Sequence, residues 1–296
     1  MLVRNDNSAG SKEQQGGKLR LTSQPLLPQY LDPNDKNSTE YELYPFQRLG
    51  EKRIFNGYES LANWITDQGC VVIDGFSGVL WNDLRSGLSR HLDSKGIRVS
   101  WIDVSEAMKS AHDIEQLVAP FLGEPGSLWG RRCTLTLNDF FDQVKLKSIA
   151  PDTSKQSIAT LTIYYGTGAS LIKSAEAPVI YIDIPKNEIQ YRMRAGSLTN
   201  LGADGPKRSA EMYKRFYFVD WVVLGVHKKS LLPKAAVFAD AQWINNINWM
   251  FSDSLHDGLK TMSHSDFRVR PWFEAGAWGG QWMKERFKNL NKDEVN

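Results

Sequence analysis

The sequence has 296 residues and a net charge of only +2, with 36 Lys and Arg against 34 Asp and Glu. This length suits one large domain or two smaller ones, and the near-neutral balance argues against nucleic acid or an anionic membrane as a partner. Two cysteines are too few for a disulfide framework. No run of about 18 apolar residues is present to span a membrane. The polar residues 1–17 do not have the apolar run of a secretory signal. The sequence therefore predicts a cytoplasmic protein.

Three regions differ in composition. Residues 1–40 are polar and rich in turn formers, which predicts a flexible or extended arm. Residues 41–262 alternate apolar runs with amphipathic stretches and predict an α/β domain. Residues 263–296 are rich in Trp and Gly and predict an extension, for which the start of a further domain is the favoured interpretation and packing back on the α/β domain is the alternative.

The alternation in the central region predicts a doubly wound, mostly parallel sheet flanked by helices. Ser105 is the predicted N-cap of the helix that follows the second strand. The predicted strands are 70–73, 97–102, 158–164, 179–184 and 235–238, and the predicted helices are 79–92, 103–120, 137–146, 186–195, 207–226 and 242–255, with a short helix before Gly69.

The turn after the first strand is the most informative segment, because ligands of open α/β sheets bind beyond the carboxyl ends of strands. It stands where kinases carry a phosphate-binding P-loop, yet only Gly75 matches that motif. Leu80, Trp81 and Asn82 replace its second Gly, its Lys and its hydroxyl residue. Without the Lys, phosphoryl transfer is disfavoured. The favoured interpretation is that the segment is a structural turn. The alternative is that backbone N–H groups around Asp74, Gly75, Ser77 and Gly78 form a cradle for a phosphate group.

Charged residues near other strand ends are further candidates. Arg192 and Arg194 would reach one phosphate only if their helix ended between them, and solvated helix charges are the favoured alternative. Arg131 is a third candidate cation. Asp74 and Asp103 could hold Mg²⁺ or orient a hydroxyl, or simply cap helices.

Other chemistry is not supported by spacing. The five histidines are scattered without the spacing of metal ligands, so no metal site is predicted. No nucleophile elbow occurs, and Cys70 lies inside an apolar strand. The catalytic residues, if the chain has any, are not identified by the sequence.

The aromatic segment near the end carries a family resemblance. Phe273-Glu274-Ala275-Gly276-Ala277-Trp278-Gly279-Gly280-Gln281-Trp282 resembles the opening strand of class I mannose-6-phosphate isomerases, where a Phe…Trp-Gly-Gly segment leads into a Zn²⁺-binding cupin barrel. The stretch 41–282 is similar to the kinase-like N-terminal half of the long, Bacteroidetes-type proteins of that name. Matching stretches include residues 57–61, 72–75, 101–105 and 185–190.

This resemblance implies interconversion of mannose 6-phosphate and fructose 6-phosphate, with Zn²⁺ in a cupin domain in cis that would begin after residue 296. No cofactor is assignable within the chain itself. The kinase-like part resembles P-loop nucleoside kinases with a degenerate Walker A loop, so nucleotide and Mg²⁺ are disfavoured.

The sequence thus predicts a scaffold or a module that binds a sugar phosphate or nucleotide without transferring phosphate. The alternative is a sugar or nucleoside phosphotransferase with an atypical loop. The oligomeric state is left open.

Overall fold

The computed structural model describes residues 19–22, 26–27, 29, 46–124, 126–127, 129–150, 160–172 and 177–266. Most of the predicted arm and the Phe273-to-Trp282 segment lie outside these residues. No helix within the described ranges is both long and apolar enough to cross a bilayer.

Within these ranges, seven strands form one sheet, and helices connect them. The strands are β1 Phe55–Asn56, β2 Cys70–Gly75, β3 Val99–Asp103, β4 Leu161–Tyr165, β5 Val179–Asp183, β6 Val237–Asp240 and β7 Asn248–Phe251. The α-helices are α1 Gly57–Thr66, α2 Trp81–Ser94, α3 Ala111–Leu122, α4 Gln143–Ser148, α5 Lys186–Arg194, α6 Ser209–Arg215, α7 Trp221–Leu231 and α8 Ser252–Ser263.

The sheet order is β1-β7-β6-β5-β2-β4-β3, and β6, β5, β2, β4 and β3 are parallel. The predicted doubly wound, mostly parallel α/β fold is thus confirmed. The central strand β2 is buried from Val71 to Gly75, as expected of a strand covered on both faces.

The topology places one turn at the reversal point of the sheet. From β2 the chain proceeds to β3 on the β4 side, whereas β5 pairs with the opposite edge of β2 and leads to β6. Such a reversal opens a crevice beyond the carboxyl ends of the two central strands. The turn between β2 and α2, residues 76–80, lies there and is called the β2–α2 turn.

Helices α1 and α2 pack closely against each other. Leu61 and Ile65 of α1 and Leu84 and Leu88 of α2 are almost completely buried. A Cβ atom on Gly87 would lie 2.6 Å from the Tyr58 ring, so the absence of a side chain at this position allows the close approach.

The predicted helix 242–255 is wrong. Residues Asn248–Phe251 form β7, antiparallel to β6 and β1, and α8 begins only at Ser252. The Trp249 ring is buried and stacks on Phe55 at 4.4 Å between centroids. Cross-strand packing of this aromatic residue therefore outweighs the helical spacing of the segment.

Three other helix predictions need correction. The predicted helix 137–146 is a 3₁₀ turn, Leu137–Phe140, followed by α4 from Gln143 onward. Asp103 accepts the Ser105 N–H and caps a 3₁₀ turn, Val104–Ala107, so α3 begins later with Ser110 as its N-cap. The predicted helix 207–226 is α6, a π-helical segment Phe216–Asp220, and α7. In a π segment each backbone hydrogen bond spans one more residue than in an α-helix, which rotates the side chains that follow it.

By its contacts the chain divides into two units, Met1–Leu21 with Phe55–Ser252, and Thr22–Ile54 with Asp253–Asn296. The first unit contains the sheet. Within the second, Arg53 pairs with Asp257 at 3.5 Å, and Gly258 of α8 lies against Leu49.

Candidate functional site

The β2–α2 turn presents unused hydrogen-bond donors. Within the described part of the chain, the backbone N–H groups of Ser77, Gly78 and Leu80 donate no hydrogen bond, although Ser77 is buried. The first N–H groups of α2 follow directly and have no partner within the helix. Gly78 has φ +97°, which favours glycine. Together these groups form a concentration of partial positive charge suited to an anion.

Trp81 covers the start of this turn. Its Cη2 atom would lie 3.1 Å from a Cβ atom on Gly75, and its ring centroid is 6.3 Å from that of Tyr165. The indole therefore lies against Gly75, at the sequence position where a P-loop has its Lys. No ammonium group is supplied by this residue to a bound phosphate.

Arg192 is committed to the protein itself. It is 2% exposed, its Nη1 donates to the Gly78 carbonyl oxygen at 2.7 Å, and its Nη2 donates to the Gln242 carbonyl oxygen at 2.8 Å. Its Nε donates to Glu188 at 3.3 Å. Burial lowers the pKa of Arg192, with the Glu188 carboxylate opposing that effect.

Glu188 links Arg192 to the N-terminal part of the chain. Its carboxylate, nearly fully buried, also accepts from Nε and Nη2 of Arg20 at 2.9–3.1 Å. The adjacent Leu21 N–H donates to the Tyr191 carbonyl oxygen at 3.0 Å. A chain of buried charges thus runs from Arg20 through Glu188 and Arg192 to the β2–α2 turn.

The structure does not bring the predicted arginines together. Helix α5 ends after Arg194 rather than between the pair, and Arg194 is exposed, with its guanidinium 5.7 Å from the Tyr191 ring centroid. Arg131 is exposed beside the end of α3, where its N–H donates to the Phe121 carbonyl oxygen at 2.7 Å.

Asp74 is the centre of a buried polar cluster. Its Oδ1 accepts the N–H groups of Gly75 and Gly168, and its Oδ2 accepts the N–H and hydroxyl of Ser170 and contacts His227 Nε2 at 2.8 Å. Burial pushes the pKa of Asp74 upward, but the bonds from His227, Ser170 and Gly168 outweigh it and hold the pKa below its ordinary value. Five bonds occupy both oxygens, so this carboxylate is not free to bind Mg²⁺.

Asp103 caps its own 3₁₀ turn by accepting the Ser105 N–H at 2.8 Å. Within the described ranges, no group of three or more His, Cys, Asp or Glu residues is arranged to hold a metal ion.

Two more carboxylates end neighbouring strands. Asp183 of β5 and Asp240 of β6 are register partners. Asp183 pairs with Lys228, and Asp240 accepts two bonds from Gln242. Burial raises the pKa of Asp240 to about 6, and the negative charge of Asp183 adds to this increase.

The residues that hold Asp74 in place could not be predicted from the sequence. Ser170 and His227 approach Asp74 only in the folded protein, and no local sequence pattern predicts this contact. The ion pair between Glu188 and Arg192 could have been predicted from the sequence, because residues four apart lie on the same face of a helix.

A family model described as "Domain of unknown function (DUF8485)" matches residues 57–264. No curated protein matches the sequence.

Two solved structures resemble the fold distantly. A D-glycerate 3-kinase from Cryptococcus neoformans is 10% identical with a TM-score of 0.40, covering 64% of this chain and 98% of its own. A protein named as a candidate fructose transport system kinase, from Silicibacter sp. TM1040, is 11% identical with a TM-score of 0.37, covering 57% and 94%. Likeness at this level assigns no activity.

Proposed function

The chain belongs to the DUF8485 family, and from the geometry of its β2–α2 turn we propose that it binds a phosphorylated small molecule without transferring the phosphate. The observation that supports this proposal is the set of unpaired N–H groups at Ser77, Gly78 and Leu80, next to the N-terminus of α2. Donors in a largely buried turn require an acceptor, and a phosphate oxygen supplies one.

Phosphoryl transfer needs cations and positioned groups that this turn lacks. Trp81 and Asn82 stand where a P-loop has Lys and a Mg²⁺-binding hydroxyl. Arg192 and Asp74 lie nearby, but hydrogen bonds within the protein occupy them. Binding by backbone N–H groups needs none of these side chains.

The chemical class of the ligand is a sugar phosphate or a nucleotide, and a sugar phosphate agrees with the sequence resemblance. Interconversion of mannose 6-phosphate and fructose 6-phosphate remains a prediction from that resemblance alone, because the segment 273–282 lies outside the described residues. The same holds for Zn²⁺ in a cupin domain.

Isothermal titration of the full chain with pyrophosphate, mannose 6-phosphate, fructose 6-phosphate and ATP tests the proposal, with mannose as the unphosphorylated control. We expect at least one phosphorylated compound to bind and mannose not to bind. Absence of binding by all four would refute the proposal, and turnover of ATP with a sugar acceptor would favour the phosphotransferase alternative.

The variant Asn82→Asp locates the ligand. Asn82 is exposed in the first turn of α2, where a carboxylate is favourable to the helix but repels an anion bound at the turn. A like charge about 4 Å away costs about 1 kcal/mol even in bulk water, so affinity should fall at least about fivefold while the thermal midpoint does not fall.

Asn63→Asp is the matched control. Asn63 is also exposed, and it bonds Lys95 at the opposite end of α2, roughly 20 Å from Asn82 along the helix. Equal effects of the two substitutions would place the ligand elsewhere.

A further inference from the structure

A cleft of about 1370 Å³ opens elsewhere in the first unit. One wall is α3 with the loop that follows it, and the other is the segment from Asn200 through α6 to Phe218. No residue of the β2–α2 turn lines this cleft. An inference about the cleft is therefore independent of the function proposed above.

Arg215 lines the cleft with unused hydrogen-bond donors. The residue is 6% exposed, and its Nη2 donates to the Leu201 carbonyl oxygen. Its Nε is buried without a hydrogen bond, and among the described residues Nη1 has no acceptor either. A buried guanidinium with free donors favours an anionic acceptor, since charge-assisted bonds are the strongest it can form.

Asp220 neutralises Arg215 only in part. Its Oδ1 lies 3.5 Å from Arg215 Nε without a hydrogen bond, while its Oδ2 accepts from Asn200 Nδ2 at 2.7 Å and from the Leu201 N–H. Burial raises the pKa of Asp220, with the Arg215 charge opposing that effect. The aspartate is therefore bonded to the loop and leaves Arg215 donors for another partner.

Aromatic side chains form much of the rest of the lining. Trp129 is 79% exposed and Tyr217 is 53% exposed, and the Tyr213 and Tyr217 rings lie 6.3 Å apart. The π-helical segment places Tyr217 toward the cleft and buries Phe216 and Val219. Exposed aromatic rings gathered in one cleft favour a planar, apolar group.

The other charges of the cleft are largely paired. Glu115 pairs with Lys207, and Glu211 pairs with Arg208. The remaining lining charges are Glu124, Lys214 and Arg215, and Lys214 donates to the Ser127 carbonyl oxygen. Unpaired donors thus remain at Arg215.

We infer that the cleft binds a planar aromatic molecule that carries an anionic group, with the anion on Arg215 and the ring against Tyr213 and Tyr217. A carboxylate, a sulfonate or a phosphate would satisfy the same donors.

Two fluorescent probes test this on the full chain. 1-Anilinonaphthalene-8-sulfonate carries the anion, and N-phenyl-1-naphthylamine is its neutral counterpart. We expect one sulfonate probe per chain, bound at least about tenfold tighter than the neutral probe, because one charge-assisted bond contributes more than about 1.4 kcal/mol. Equal affinities of the two probes would overturn the inference.

Two variants separate the contributions. Arg215→Met should bring the affinity of the sulfonate down to that of the neutral probe, provided that circular dichroism shows a folded chain. Tyr217→Ala removes an exposed ring and should weaken both probes at least about fivefold. Val226→Ala, at a residue of equal 53% exposure that does not line the cleft, is the control. Equal binding by the two alanine variants would refute the site even if Arg215→Met does not fold.

Discussion

Arg192 donates a hydrogen bond to the carbonyl oxygen of Gly78 at 2.7 Å, so a buried side chain of α5 fixes the backbone of the β2–α2 turn. The sequence made this arginine a candidate for binding a ligand phosphate, but its guanidinium instead bonds the backbone of the turn. Its role is to position the turn, and this relationship can be tested by stability.

Arg192→Met should destabilise the protein strongly. The change leaves Glu188 with one fewer cation in a buried setting and removes the donors for Gly78 and Gln242, and breaking a buried ion pair costs roughly 3–5 kcal/mol. Urea unfolding measures the loss. Arg194→Met, two residues away and exposed, should cost less than about 1 kcal/mol; similar losses in both variants would contradict the assignment.

Asp74→Asn should have a pH-dependent effect on the free energy of unfolding. Because the folded state lowers the pKa of Asp74, its ionised form stabilises the fold above the pKa of the unfolded chain, about 4, and this contribution is lost as pH falls through the folded pKa. We expect a loss of roughly 2–4 kcal/mol at pH 7 that shrinks in acid. Denaturant titrations from pH 7 to pH 3 measure it, with the exposed Asp93→Asn as control; a loss independent of pH would refute the charge-based account.

Asp240 should show the opposite dependence. Its pKa of about 6 in the folded state lies above the unfolded value, so its contribution falls as pH rises from about 4 to about 6 and is constant above. Relative to the wild type, Asp240→Asn should gain about 2 kcal/mol between pH 4 and pH 8. Parallel stability curves for the two proteins would contradict the raised pKa.

Two helical glycines should respond oppositely to alanine. Gly225→Ala in α7 places a Cβ with no atom within 4 Å and should stabilise by roughly 0.5–1 kcal/mol. Gly87→Ala in α2 places its Cβ 2.6 Å from the Tyr58 ring and should destabilise by roughly 1–3 kcal/mol. Thermal unfolding of both variants checks this, and stabilisation by Gly87→Ala would mean that α1 and α2 pack less tightly than described.

The sheet was predictable because its central parallel strands are buried on both faces and read as short apolar runs, as Cys70 to Ile73 do. The segment around Trp249 was not, since β7 lies between β6 and β1 in the sheet and its partner in β1, Phe55, is far away in sequence. Local spacing alone cannot distinguish a short apolar strand from a helix.

The candidate site was predictable only in its location. The position of the β2–α2 turn followed from strand order and from Gly75. The hydrogen bonds made by the nearby Asp74 and Arg192 could not be predicted. Asp74 looked available because its partners Ser170 and His227 are 96 and 153 residues away. Arg192 was a candidate to bind a ligand because its acceptors are the backbone carbonyl oxygens of Gly78 and Gln242, and backbone acceptors cannot be identified from the pattern of side chains.

The buried charges from Arg20 to Arg192 also connect the N-terminal segment to the β2–α2 turn thermodynamically. Coupling between two sites is reciprocal, so if residues 19–21 stabilise the turn through these contacts, a ligand that steadies the turn also holds residues 19–21 more firmly against α5. Protease cleavage before Leu21 would then slow when the turn is occupied. The beginning of the chain would thus report on a site more than fifty residues further along the sequence.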